Sequence, residues 1–293
     1  MRNATKFILG LGLAITLFSC SKDEEEKNIT SDEATINARI DMANDDVSDV
    51  VEEQEANTYS NSVNGRNEDP SFSTLSNCAT ISRVPAFGTA ITPGTPVTKT
   101  IDFGTVGCTL NNGNVVKGKI IISFIYQPDA TSHTITYTFD NFYHNLIKFD
   151  GTKTFTRVMS VETPNSPSHP IVTMDMDLTA TFPNGNVYTR VGQRIREIIE
   201  GYNTPGDFLD NIYKVTGSWT TTYPNTSNLV STITTPLHVK MSCIVPQKPL
   251  LVHGIITFQR NGNTATLDYG DGTCDNLAVY TVNGNSYNIV IGN

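Results

Sequence analysis

The feature that most constrains the fold is a turn motif, Asn-Gly followed by Asn, which occurs four times in this chain of 293 residues. Asn and Gly both tolerate the positive φ that tight hairpin turns require. The four copies lie at 112–114, 184–186, 261–263 and 283–285. Each copy therefore predicts two neighbouring antiparallel strands joined by a short turn.

From residue 71 onward the chain is rich in Thr, Val, Ile, Tyr and Phe, which is the composition of β-strands. Within 132–142, threonine alternates with large apolar residues, the pattern of a strand with one buried face. The run 120–122 is apolar on both faces and fits the centre of a sheet. We predict strands near 79–85, 96–103, 115–126, 132–142, 146–160, 170–182, 186–200, 211–222, 229–240, 252–260, 263–269, 277–282 and 286–291.

These strands predict a mainly β body, either an antiparallel β-sandwich or a partly open β-barrel with hairpins. Two segments leave a choice. Residues 195–199 also fit a short helix, and 204–210 fit a loop with one helical turn.

The body contains an internal repeat. The segment 98–104 (Thr-Lys-Thr-Ile-Asp-Phe-Gly) matches 264–270 (Thr-Ala-Thr-Leu-Asp-Tyr-Gly), and each copy is followed and preceded by a cysteine at nearly the same distance. We interpret the regions of about 78–108 and 243–274 as a duplicated unit, although two similar β-turns can also arise by chance.

The N-terminus has the pattern of a signal peptide. A cationic start precedes an apolar run from Phe7 to Leu17, which is shorter than the ~20 residues that span a bilayer. Leu17-Phe18-Ser19-Cys20 resembles a bacterial lipobox, and the Ser-Lys-Asp-Glu-Glu that follows is similar to the export signal of surface lipoproteins of Bacteroidota. The resemblance implies removal of residues 1–19 and acylation of Cys20, for example by palmitate.

The protein is thus expected to be a lipoprotein anchored by its lipid to the outer membrane and exposed on the cell surface. A lipobox alone also suits the periplasmic face, and an ordinary secretory signal with a chance cysteine is the alternative. The C-terminal Asp-Tyr-Gly-Asp-Gly-Thr-Cys-Asp-Asn also resembles the ending of Bacteroidota lipoproteins, a family from which no activity can be transferred.

Disulfides persist in exported proteins. With Cys20 lipidated, four cysteines remain and allow three connectivities. The duplication selects Cys78–Cys108 and Cys243–Cys274, each closing a loop of about 30 residues and contributing roughly 3 to 4 kcal/mol. Free thiols serving as nucleophiles or metal ligands are disfavoured by the long spacings.

One helix is predicted before the strands. Thr30-Ser31-Asp32-Glu33 fits a capping box, and apolar residues then recur at steps of three and four, which predicts an amphipathic helix near 32–55. Its polar face is acidic, so we expect the narrow apolar stripe to dock on the body rather than on a membrane. Residues 57–70, rich in Asn and Ser, are interpreted as a linker.

The net charge of −9 is unevenly distributed. Residues 21–70 carry 15 acidic and four basic side chains, whereas 71–293 carry 14 of each. We therefore interpret 20–70 as an acidic tether that holds a neutral body, 71–293, away from anionic head groups. No basic patch is present, so nucleic acid is not an expected partner.

Two sets of residues are candidate ligand sites. Asp268, Asp271 and Asp275 supply the oxygen ligands that Ca²⁺ prefers, without EF-hand spacing, and the same residues are also ordinary turn formers. Phe142, Tyr143 and Trp219 offer stacking faces for a sugar, although aromatic residues at strand ends commonly serve as core packing.

Catalytic patterns are weak. Asp175 and Asp177 share one strand face, as paired acids of glycosidases do, but the pattern equally fits a solvent-facing strand. The five histidines show no metal-ligand spacing. We expect no enzymatic activity and no required cofactor. The leading hypothesis is a binding or structural module for an extracellular glycan or protein, and the alternatives are a carrier for a lipid or other hydrophobe in a half-open β-barrel and, less favoured, a hydrolase.

Overall fold

The computed structural model describes residues 29–64, 75, 77–164, 167–204 and 207–291. These residues form one long helix followed by an antiparallel meander of strands. The elements are α1 (Ser31–Asn64), β1 (Thr80–Val84), β2 (Pro96–Asp102), β3 (Cys108–Thr109), β4 (Val115–Ile125), β5 (Ser132–His144), β6 (Ile147–Met159), β7 (Pro170–Thr181), β8 (Val187–Glu200), β9 (Ile212–Thr222), β10 (Asn228–Lys240), β11 (Leu251–Arg260), β12 (Asn263–Asp271), β13 (Leu277–Val282) and β14 (Asn285–Val290).

All fourteen strands belong to one sheet, and nearly every strand pairs with the next in sequence. The short β3 pairs only with β4, and β1 and β14 form the two edges, so the sheet is not closed. The mainly β, antiparallel fold predicted from the sequence is confirmed. The predicted Asn-Gly turns are confirmed as well, and at 261–262 and 283–284 both turn residues have the positive φ of a type I′ hairpin.

The sheet curls around α1. Every residue from Ile40 to Glu52 is buried, which is more than three full helical turns. A helix docked on one face of a sheet would bury only a stripe. The helix therefore forms the centre of the body. This differs from the expected docking by a narrow stripe, because the acidic side chains as well as the apolar ones find partners in the sheet.

The start of α1 has the predicted capping box. The Thr30 amide donates to Glu33 Oε2 at 3.0 Å, and the Glu33 amide donates to Thr30 Oγ1 at 3.2 Å. The helix continues to Asn64, so the first half of the segment interpreted as a linker is helical. The rest of that segment lies outside the described residues.

The strand ends advance along the helix from β13 back to β5. We call the end of the sheet that carries the tight Asn-Gly turns the hairpin end. Near this end, four strands contact the helical segment, through the pairs Tyr280–Ile29, Arg260–Glu33, Arg190–Asp41 and His144–Asp46. Near the other edge of the sheet, Lys99 of β2 donates to the carbonyl of Gln54. Successive strands therefore contact the helical segment at successive positions along its length.

Connecting loops meet at the seam between the edges. A Cβ on Gly113 would lie 3.9 Å from the carbonyl oxygen of Gln247, in the connection between β10 and β11. The side-chain amides of Asn112 and Asn114 each donate to Asp46 at 2.7 Å. The β3–β4 turn and the β10–β11 connection thus come together over the middle of α1.

The two disulfides have the predicted pairing. Cys78 is bonded to Cys108 and Cys243 to Cys274, with Cα–Cα distances of 5.6 and 5.3 Å. In each unit an aspartate carboxylate accepts from the amide two residues later, that of Gly104 or Gly270. The repeat therefore marks the same local structure at both ends of the sheet.

The strong curvature requires irregular strands. A Cβ on Gly151 of β6 would lie 2.2 Å from the carbonyl oxygen of Asp177 on β7, so only glycine allows this approach. Register shifts interrupt several pairs, including β4–β5, β9–β10 and β10–β11. Bulges and glycine kinks of this kind let a sheet coil around a core element.

The predicted strand over 186–200 is confirmed, and the alternative of a short helix at 195–199 is not, because residues 195–197 pair with both neighbouring strands. One detail differs from the sequence-based expectation. The two-residue strand β3 was not predicted. The helical turn within 204–210 is present as a short 3-10 helix, Phe208–Asp210.

Candidate functional site

The most unusual region is the interface between α1 and strand β8. Arg190, Arg194 and Arg196 point inward and are almost fully buried. Between them, Val191 and Ile195 face outward and are exposed. The usual alternation of a strand is therefore inverted, because the core that β8 faces is an acidic helix.

Each of these arginines binds acids of α1. Arg194 donates to Asp41 Oδ1 at 2.5 Å and to Asp45 Oδ1 at 3.1 Å. Arg190 also pairs with Asp41, and Arg196 pairs with Asp49. Buried charges are tolerated only when they are paired in this way.

Other strands extend the charge pairing along the helix. The contacts are His144–Asp46 at 2.7 Å, His133–Glu55 at 2.6 Å, Arg157–Glu55 at 3.0 Å and Arg260–Glu33 at 2.6 Å. Lys99 binds the carbonyl of Gln54 and Lys153 the side chain of Asn44. Basic side chains among the apolar residues of the sheet's inner face thus pair with polar and acidic groups along the buried part of the helix.

Burial shifts the ionisation of these groups. It raises the pKa of Asp49 to about 7, although the Arg196 guanidinium beside it acts in the opposite direction. Burial likewise raises the pKa of Asp45. Burial and, secondarily, the nearby Arg194 hold the pKa of Lys153 well below its usual range. The interior is therefore sensitive to pH even though it is closed to solvent.

Within the part of the chain that the structure describes, α1 occupies the centre of the space that the sheet encloses. A small pocket near the seam, about the size of one water molecule, is lined by Ala38, Met42, Leu250, Tyr269 and their neighbours. A hydrophobic ligand of lipid size requires several hundred Å³. The observed interior is already occupied by the chain's own helix.

Two of the three aromatic residues considered for sugar stacking are buried. Phe142 is 1% exposed and Trp219 is 2% exposed. Trp219 lies beneath the guanidinium of Arg194, 4.1 Å from the ring centroid. Tyr143 is half-buried, with the Lys117 ammonium 4.2 Å above its ring. Phe142 and Trp219 therefore cannot stack on a ligand outside the protein, and the three rings form no shared binding face.

The candidate calcium ligands serve as turn caps. Asp268 accepts from the Gly270 amide at 2.9 Å, Asp271 from Thr273 at 3.1 Å and Asp275 from Leu277 at 2.9 Å. Among the described residues no group of three or more His, Cys, Asp or Glu side chains is arranged to hold a metal ion. The structure thus gives these aspartates the turn-forming role that was the alternative to calcium binding.

The candidate catalytic residues do not converge. Asp175 and Asp177 are exposed on the outer face of β7, whereas His133 and His144 point inward to α1. His169 binds Glu197 at 3.1 Å on another part of the sheet. The hydrolase hypothesis required these groups to share one cleft, and that basis is missing.

Sequence reasoning missed a pair of histidines on adjacent strands. His238 of β10 and His253 of β11 lie opposite each other, with ring centroids 4.6 Å apart. They are 15 residues apart in sequence, so no short spacing motif could reveal them. Only the register of the two predicted strands would have placed them side by side.

The lipidation site Cys20 and the signal peptide 1–19 lie outside the described residues. Within the part of the chain that the structure describes, no helix is long and apolar enough to cross a membrane. The comparisons of this chain with protein-family models, with curated proteins and with solved structures found no significant match.

Proposed function

We propose that this protein is a surface-exposed, lipid-anchored outer-membrane lipoprotein whose β body is a non-enzymatic binding or structural module for an extracellular partner. The observation that supports this proposal best is the filled interior. Because α1 occupies the space inside the sheet and pairs with the basic side chains of its inner face, partners are left the outer surface and the loops.

The position of Ile29 orients the body relative to the proposed anchor. The Tyr280 hydroxyl donates to the Ile29 carbonyl at 2.7 Å, close to the hairpin that joins β13 to β14. Only eight residues lie between Cys20 and Ile29, so the two are at most about 30 Å apart. A lipid on Cys20 therefore holds the hairpin end of the body towards the membrane. Because Ile29 already contacts the body, the proposed tether consists of the residues between Cys20 and Ile29 and not of the whole segment 20–70.

The opposite end of the body carries the longer connections, such as those of β1–β2 and β6–β7. Several large apolar side chains are exposed there, namely Val84, Phe87, Met159 and Val161. The guanidinium of Arg83 stacks on the Phe87 ring at 5.1 Å. Apolar groups combined with arginine are typical of protein-binding surfaces, so we favour a protein over a glycan as the partner.

The alternative of a hydrophobe carrier would need α1 to leave the interior. Its departure would leave Arg190, Arg194 and Arg196 without their acidic partners in an otherwise apolar interior, which is costly. The filled core therefore favours the binding module over the carrier.

The anchor is tested by replacing Cys20 with Ala. We expect the variant to lose incorporation of labelled palmitate and to be released from the membrane fraction. An epitope inserted after Gly88, in the β1–β2 connection, should bind antibody on intact cells. Retained label after Cys20→Ala, or antibody binding only after permeabilisation, would contradict the anchor or the outward orientation respectively.

The partner-binding end is tested by placing a photo-crosslinking amino acid at position 87 or at position 146. Phe87 is 54% exposed at the loop end and Leu146 is 71% exposed at the hairpin end, which makes them a matched pair. We expect a crosslinked adduct of defined mass from position 87 and none from position 146. Adducts from position 146 alone, or from neither position, would refute the proposed binding face.

A further inference from the structure

The two histidines of β10 and β11 are held side by side by distortions of both strands. The register shifts on either side of His238 and again just after His253. Gly254 has φ of +105°, and a Cβ there would lie 2.4 Å from the carbonyl oxygen of Pro236. Bulges of this kind redirect side chains and are frequent next to functional sites.

Both imidazoles lie on the outer face of the sheet. Their neighbours in the strands, Leu237 and Val252, point inward and are buried, whereas the histidines are half-buried. The ring planes are inclined by 28°. The Nδ1 atom of His253 is buried and has no hydrogen-bond partner among the described residues.

Charged groups surround the pair on both sides. Asp271 of β12 lies directly opposite His253, and Lys214 of β9 lies directly opposite His238. Lys214 is bound to Glu197 at 2.5 Å. The charge of Lys214 acts against a positive charge at His238, whereas the carboxylate of Glu200 favours one. Acidic and basic groups therefore both lie near the pair.

We propose that His238 and His253 form a surface binding site for one divalent first-row transition-metal ion, Cu²⁺, Ni²⁺ or Zn²⁺. Neutral imidazole is a good ligand for these ions, and Cu²⁺ binds most tightly in the general order of affinities. The two imidazoles are the protein ligands, and water completes the coordination.

The spacing of the two rings supports a shared site, because the imidazoles of His238 and His253 lie side by side with their centroids 4.6 Å apart. Two protein ligands with water produce an exchangeable site rather than a structural one. This agrees with the absence of any three-ligand group among the described residues.

The experiment is a titration of the full lipidated chain in detergent with Cu²⁺ at pH 7.5, followed by electron paramagnetic resonance. We expect one equivalent of Cu²⁺ with nitrogen hyperfine structure. His238→Ala and His253→Ala should each weaken binding at least tenfold. His169→Ala is the matched control, because it removes a histidine bound to Glu197 and should leave binding unchanged.

A second measurement separates lost coordination from misfolding. Cu²⁺ should raise the melting temperature of the wild-type protein and of His169→Ala, because ligand binding to the native state stabilises it. It should not raise that of His238→Asn or His253→Asn, which retain polar side chains. The proposal is overturned if the wild-type protein takes up no Cu²⁺, or if either Asn variant binds Cu²⁺ and is stabilised by it as strongly as wild type.

Discussion

The inner and outer faces of the sheet carry different kinds of polar side chain, although the inner face is mostly apolar. The inner face carries arginine, lysine and histidine side chains paired with acids of α1. The outer face carries short hydroxyl side chains in an almost unbroken row across the strands. That row consists of Thr98, Ser123, Thr136, Thr154, Asp175, Gln193, Ser218, Thr232, Thr257, Thr266, Thr281 and Ser286.

This difference shows that a charged side chain on a strand does not always face the solvent. Threonine on the outer face satisfies β propensity and contacts water. Long basic side chains on the inner face reach the helix and bring its carboxylates into the core. Removing one member of a buried pair leaves an uncompensated charge, whereas an exposed pair contributes little.

The largest expected effect is that of Arg194→Met. Loss of the guanidinium leaves Asp45 without its ion-pair partner and should lower the free energy of unfolding by about 3 to 5 kcal/mol. The control is Gln193→Met, the adjacent residue on the outer face, which should change stability by less than about 0.5 kcal/mol. Urea unfolding followed by circular dichroism measures both. Equal losses in the two variants would contradict the contrast between the faces.

Replacing both members of a buried pair should cost less than replacing one. The double variant Arg196→Leu with Asp49→Leu is expected to be more stable than either single variant by at least about 2 kcal/mol. The same double-mutant cycle on the outer pair Lys148–Asp150, whose side chains are 32% and 45% exposed, should give a coupling of about 0.5 kcal/mol or less. Similar coupling energies in both cycles would contradict the prediction that burial strengthens the coupling of the inner pair.

The pH dependence should also differ between the faces. The pKa of Asp49 is raised to about 7 in the folded chain, so its contribution to stability is complete below its unfolded pKa near 3.8 and is lost as pH rises through 7. Asp49→Asn should reduce the fall of stability between pH 5 and 8, by at most about 1.4 kcal/mol per pH unit. The exposed Asp175→Asn should leave that slope unchanged. Unfolding at several pH values tests this, and an unaltered slope in Asp49→Asn would contradict the burial of an ionising group.

The smallest effects are expected on the hydroxyl row. Thr232→Val keeps the shape of an exposed strand residue and should change stability by less than about 0.5 kcal/mol. Ile233→Val, its inward-facing neighbour, removes one buried methyl group and should cost about 0.5 to 1.5 kcal/mol. Thermal unfolding compares the two, and a larger loss for Thr232→Val would assign the outer row a structural role.

Much of the sheet could be predicted from the sequence because its signals are local. Strand alternation, such as that of 132–142, and the Asn-Gly turns need only neighbouring residues. The disulfides were predictable because the repeat ties Cys78 to Cys108 and Cys243 to Cys274. Strand β3 was missed because two residues carry no periodicity.

The interior could not be predicted in the same way. The partners of the helix acids lie far away in sequence, 149 residues for Arg190–Asp41 and 98 for His144–Asp46. The acidic helix was therefore interpreted as part of a tether that docks on the neutral body only by a narrow apolar stripe. One signal was present in β8, where arginines alternate with Val191 and Ile195 and either set could face inward. The arginines can be assigned to the inner face only when the acidic side chains of α1 are known to lie inside the sheet.

The central position of α1 has a consequence for the order of folding. The helix is made first, yet its contacts extend to Tyr280, 251 residues later. A polar helix without partners is only marginally stable in water. The strands, by contrast, pair with their neighbours as they appear, and such local contacts form quickly. The acidic character of the segment keeps it soluble during this interval. The first part of the body to be synthesised is therefore the last to acquire its native surroundings.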